Sequence, residues 1–204
     1  MNHENAPANR SKAIESIKLL LDNNAMLCDI ASQSYIHQLG FLKIPISVGI
    51  QKFRLHYWPH EIIHGGDDIH THTANFTSTL LSGEFTHQKF MQTPGNTHTK
   101  HTYYVNPKTG SSSLVAGKST GVMETSRKKI TKGSTYSLDR STLHKISNIA
   151  EGTSTISFWE NRTHQAYVIK EKGEPLHDCY KTPGINPDEL RHYLILLSGI
   201  INDS

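Results

Sequence analysis

The sequence predicts a mainly β, single-domain protein, a sandwich or barrel with helices at both ends. Three observations predict it. Short segments of alternating apolar and polar residues recur between clusters of Gly, Ser, Asn, Thr and Pro through the middle of the chain. Helical periodicity is confined to the two termini. A chain of 204 residues is long enough to bury one core without disulfide or metal staples, and no internal repeat or second domain is visible in it.

Residues 1–10 are polar, lack a signal-peptide core and read as a disordered tail. Residues 11–50 read as an N-terminal helical segment packed on the outside of the barrel. Ser11 is a plausible cap for a helix that carries Ile14, Ile17, Leu20 and Leu21 on one face. A second helix over about residues 25–39 stops at Gly40, and Pro45 opens extended structure. The barrel spans 51–172. Its first strand, Phe53 to Trp58, alternates with period two and ends at Pro59. Further strands are expected at 76–81, 84–91, 101–105, 121–130, 134–138, 143–149, 154–160 and 166–170. Thr93-Pro94-Gly95-Asn96 and Asn106-Pro107-Lys108-Thr109-Gly110 read as turns between them. Residues 173–204 form a C-terminal loop and helix. Asn186 caps that helix, Pro187 takes its first position and Glu189 stands three after the cap. Leu190, Leu194, Leu197 and Ile201 make an apolar stripe that is expected to bury on its own chain, a homodimer being the other way to cover it.

Twenty-one Lys and Arg against eighteen Asp and Glu leave a charge of +3, too small and too dispersed to imply nucleic acid. The densest basic run, Arg127-Lys128-Lys129, reads as a solvated strand end. No apolar stretch approaches the roughly 20 residues that cross a bilayer, so no membrane partner is expected and a cytoplasmic location is the default. Cys28 and Cys179 do not make a disulfide framework, and reduced thiols suit that compartment. Histidine is the unusual residue: there are fourteen, most of them between His56 and His101.

Two of these carry the chemistry. His70 and His72 stand two apart, so on extended chain their imidazoles aim into the same space. A second stretch, Gly133 to Asn148, answers them with His144. After His72 come three residues, Phe76, six residues and Gly83; Gly133 is followed, in register, by Asp139-Arg140-Ser141, His144 and Asn148. This pairing resembles the double signature of the cupin superfamily. The resemblance implies a jelly-roll barrel, with His70, His72 and His144 as metal ligands. Four positions depart from the signature: Phe76 replaces the usual fourth ligand, a glutamate; Asp139 and Ser141 replace Pro and Gly; and Gly66 lies closer to His70 than the motif's first glycine. Locally, His64 to Thr73, Leu80 to Gly83 and Leu143 to Asn148 are most similar to the cysteine dioxygenase group, where the glutamate is also missing and three histidines hold ferrous iron. Of that group's Ser-x-His-x-Tyr triad only Ser157 is kept, Trp159 and Asn161 standing at the other two positions. Neither cysteine lies where the thioether crosslink of some members forms.

Three neutral imidazoles leave a divalent ion with its full charge, so the centre attracts an anion. An octahedral Fe(II) with three protein ligands keeps three positions for a chelating substrate and O2. Fe(II), which the resemblance implies, is the expected cofactor, although imidazole suits Zn, Ni and Cu as well. The expected function is a mononuclear non-haem Fe(II) oxygenase acting on a small anionic metabolite. A redox-neutral metal-dependent lyase, isomerase or hydrolase, or a non-catalytic binding module, is the alternative. Arg54 is the first candidate to hold a substrate anion and Arg140 the second; His56 shares a strand face with Arg54. Ser157 and Trp159 line the cavity if their face of the strand points inward, whereas apolar size would put Ile156 and Phe158 inside instead. Strand parity places Phe76 in the pocket as an apolar wall. His60 and His64 precede the site. His87, His98 and His101 read as surface, and Tyr57, Tyr103, Tyr104 and Tyr136 as strand packing.

Overall fold

The computed structural model describes residues 6–37, 40–49, 51–60, 68–105, 112–174 and 184–202. It has the mainly β architecture that the sequence predicts for a cupin jelly roll: two antiparallel sheets, N-terminal helices and a C-terminal helix. The strands are β1 (Tyr35–His37), β2 (Phe41–Val48), β3 (Gln51–Tyr57), β4 (Ile69–His70), β5 (Asn75–Ser82), β6 (Glu84–Val105), β7 (Ser112–Thr131), β8 (Thr135–Leu138), β9 (Leu143–Ser147), β10 (Ser154–Glu160) and β11 (Gln165–Glu171). One sheet has the order β1-β2-β3-β10-β5-β8 and the other β11-β4-β9-β6-β7.

The helices are α1 (Ala6–Asp22), α2 (Asn24–Gln33) and α3 (Pro187–Asn202). They cover the outer face of the first sheet. Ile17 and Leu20 of α1, Leu27 and Ile30 of α2, and Leu190, Leu194 and Leu197 of α3 form one core with Leu42, Ile44, Leu55 and Ile156 of the strands. The stripe on α3 is thus buried on its own chain. Its start is as expected, with the Glu189 N–H donating to Asn186 Oδ1 at 2.8 Å.

Three expectations change. Helix α1 begins at Ala6, so Ser11 lies inside it and residues 6–10 of the expected tail are helical. Pro7 is tolerated in a first turn, and that turn is anchored by the Asn9 amide donating to Thr79 Oγ1 at 2.9 Å. Helix α2 stops at Gln33. The chain becomes strand β1, which pairs with β2 through Tyr35↔Lys43 and His37↔Phe41, and Gly40 turns this hairpin, its N–H donated to His37 O at 2.8 Å. Residues 41–48 therefore belong to the sheet and not to the helical segment. Lastly, the expected strands 84–91 and 101–105 are parts of one strand, β6. The Thr93-Pro94-Gly95-Asn96 segment is an irregularity in its pairing with β7, where the register shifts between Thr93 and His98; proline cannot donate to a ladder. The turn expected at 106–110 lies outside the described residues, as do Cys179 and His64.

Candidate metal centre

Two strands of the second sheet and the chain after β4 bring the histidines together. His70 ends β4 and pairs directly with His144 of β9. Two residues on, the His72 backbone N–H donates to Arg140 O at 3.2 Å, while the Thr71 N–H donates to Tyr167 O at 2.9 Å on the opposite side. This alternation buries Ile69 and Thr71 in the wall and leaves both imidazoles facing the interior. The ligating atoms of His70, His72 and His144 all lie within 4.8 Å of one another. His72 Nε2 and His144 Nε2 are 2.7 Å apart.

Ring orientation is fixed from behind. His70 Nδ1 donates to Asp68 O at 2.8 Å, which puts the ring's lone pair on Nε2. His144 Nδ1 faces His87 Nε2 at 3.1 Å, and the tautomer that keeps the lone pair on His144 Nε2 has Nδ1 donating to His87. His72 is held by ring contacts instead, edge-on to Phe76 with centroids 4.7 Å apart and to Trp159 at 5.3 Å. Convergent imidazole nitrogens, two of the rings backed by outer hydrogen bonds, fit a divalent metal ion. Phe76 indeed faces the cluster, and its ring stacks on Trp159 at 4.7 Å.

His87 is a correction to its reading as surface. It is 5% exposed and sits two residues after the buried Phe85 on the inward face of β6. Its ring lies 5.1 Å from that of His144 and 5.4 Å from that of Tyr136. A signal was present in the sequence: His87 holds the same strand parity as Phe85. His101 is also buried, beneath the β6–β11 pairing, while His98 is half-buried beside Thr97. His60 is exposed and paired with Glu151 at 2.9 Å.

The other predicted residues line the same chamber from the first sheet. Ser157 and Trp159 point inward, while Ile156 and Phe158 pack toward the helices. Both faces of β10 are thus covered, which is why apolar size misdirects the choice. The Ser157 hydroxyl is closed on Ser78 Oγ at 2.8 Å. Arg54 lies over the Trp159 ring, 4.4 Å from its centroid. His56 Nδ1 is 3.1 Å from Thr155 Oγ1, and its ring meets Phe41 at 5.0 Å. Arg140 faces outward, its guanidinium donating to Asn161 O at 3.3 Å; what it gives the site is the carbonyl that pins His72.

Burial holds His56, His72 and His144 well below the ordinary value of 6.5, with the neighbouring histidines and cations adding to the effect. For the same first reason His37 is lowered to about 3 and His87 to about 4. All are neutral at pH 7, as ligation requires. The unfolded chain takes up protons near 6.5 that the folded protein refuses, so stability is full above that pH and falls below it. The urea midpoint of the metal-free protein is expected to drop between pH 7 and pH 5; an unchanged midpoint would contradict neutral burial of these rings.

Fold and site together define a jelly-roll protein with a three-histidine cluster suited to a divalent metal. No family model matches the sequence and no curated protein does. Among solved structures the chain is similar to a tryptophan-to-tyrosine variant of oxalate decarboxylase from Bacillus subtilis, with a TM-score of 0.34 and 12% identity over 63% of this chain. The match spans 27% of that protein's length. Among the described residues, no helix is long and apolar enough to cross a membrane.

Proposed function

We propose that this protein is a cupin enzyme of the three-histidine type, a mononuclear non-haem Fe(II) oxygenase that acts on a small anionic metabolite. The observation that carries this reading is the convergence of His70, His72 and His144 with an aromatic ring, Phe76, where a fourth, anionic ligand would otherwise stand. Those three imidazoles would hold Fe(II), which would supply one-electron redox chemistry. The chain does the rest. Phe76 and Trp159 exclude water from one side of the cluster, which strengthens every charge interaction inside it. Asp68 O and His87 fix the tautomers of His70 and His144. Arg54, held over Trp159, offers a guanidinium to a substrate oxyanion at the side of the chamber that faces His72.

Anaerobic reconstitution with Fe(II), followed by oxygen uptake across a panel of thiols, amino acids and small organic acids, tests the proposal. Substrate-dependent oxygen consumption with one equivalent of iron is the expected result. Protein that keeps stoichiometric zinc from its native host and never consumes oxygen would overturn the oxygenase reading in favour of redox-neutral chemistry.

A further inference from the structure

The barrel face of the first sheet carries a group that the site above does not use. Leu42, Ile44 and Ile46 of β2 are buried beneath the helices, so Lys43 between them lies on the chamber side. Lys43 pairs with His56 and Pro45 with Arg54, which makes Lys43 and Arg54 diagonal neighbours on one face. Lys43 Nζ donates to Tyr35 Oη at 2.7 Å, a neutral partner. Neither cation has a carboxylate partner among the described residues. Arg162, in the loop after β10, adds a third positive charge within electrostatic reach of both.

We propose that Lys43 and Arg54 form an oxyanion subsite outside the metal cluster, which takes the second anionic group of a substrate bearing at least two negative charges and no ammonium group, a dicarboxylate or a phosphorylated carboxylate. Placement of the first group at the metal rests on the function proposed above; the subsite itself does not.

Two further features point the same way. Burial and the nearby Arg54 push Lys43 down to about 7, and burial and Arg162 push Arg54 down to about 10. Such cations are costly to hold unless an anion joins them. In addition, the buried indole N–H groups of Trp58 and Trp159 have no acceptor among the described residues, although both rings touch chamber histidines. The first-sheet side of the chamber is thus rich in donors. An amino acid would bring its ammonium group among three cations with no carboxylate among the described residues to receive it, whereas a second oxyanion would satisfy them.

Titration calorimetry on chelator-stripped protein, with malonate, succinate, inorganic phosphate and acetate as ligands, tests this. At least one dianion is expected to bind about tenfold or more tightly than acetate. Lys43→Met and Arg54→Met should each erase that preference, and Lys43→Arg should keep it. The dicarboxylate and phosphate arms show which oxyanion the subsite prefers. Binding also draws a proton onto Lys43, which faces Tyr35 and His37 of β1, Arg54 and His56 of β3, and Arg162. At pH 8 the heat should therefore vary with the ionisation enthalpy of the buffer, and should not do so in Lys43→Met. Equal affinity for acetate and every dianion, or a preference untouched by Lys43→Met, overturns the subsite. Dianion preference in a protein that binds no metal supports the subsite and defeats only the enzyme reading.

Discussion

Replacing His144 by alanine is expected to abolish stoichiometric metal binding while leaving the fold intact. Among the described residues His144 supplies one of the three clustered imidazoles that could hold a metal ion, and its Nε2 stands 2.7 Å from that of His72. With it gone, two imidazoles remain to hold the ion. The loss of affinity should exceed the roughly 10–100-fold that removal of an outer partner causes. His87 provides the comparison, because it touches His144 Nδ1 at 3.1 Å and no other ligand. His87→Phe keeps the ring beside Tyr136 and removes the acceptor, so its loss should fall within that roughly 10–100-fold range. Elemental analysis and competition with a chelator read both variants, and circular dichroism checks the fold. Wild-type metal affinity in His144→Ala would remove the basis of the site.

The second large effect concerns stability. Gly83→Ala is expected to be severely destabilising and Gly133→Ala mildly so, although both glycines belong to the same pair of motifs. Gly83 has φ 70° and closes the turn between β5 and β6. A Cβ there would lie 2.2 Å from Thr153 Oγ1 and 2.7 Å from the Thr153 backbone Cα. Thr153 is fully buried, and its hydroxyl accepts from the Glu84 N–H at 3.2 Å, so neither partner has room to move. Left-handed strain of about 1–2 kcal/mol adds to overpacking of about 1–3 kcal/mol. Gly133 has φ 79° with nothing within 4 Å of an added Cβ, so only the strain of about 1–2 kcal/mol applies. Urea unfolding of the two variants measures the difference. Equal losses would show that the Thr153 contact does not matter.

These two glycines also explain why the motif was readable at all. Gly83 and Gly133 take positive φ, and Asn148, the last motif residue, has φ 49°, where asparagine is among the few tolerated side chains. The spacing therefore records turns as well as histidines, and it stays legible although Phe76 stands where the resemblance would place a glutamate. Strand β10 was legible residue for residue, and so was the capped start of α3. The early end of α2 was not, because Tyr35 to His37 becomes strand only by pairing with β2. Nor was the continuity of β6, which depends on β7 running alongside it past Pro94.

By itself the sequence determined the class of fold, the strand breaks at Gly83 and Gly133, the apolar stripe of α3 and the three histidines that meet, because each is written in local spacing. Tertiary structure decided which face of each strand sees the chamber. Alternation tells which residues share a face, but here the first sheet is covered on both sides, by helices on one and by the second sheet on the other. Only packing could place Lys43, Arg54 and Trp159 inward and set His87 behind His144, since the Arg54–Trp159 and His87–His144 contacts join segments far apart in the chain.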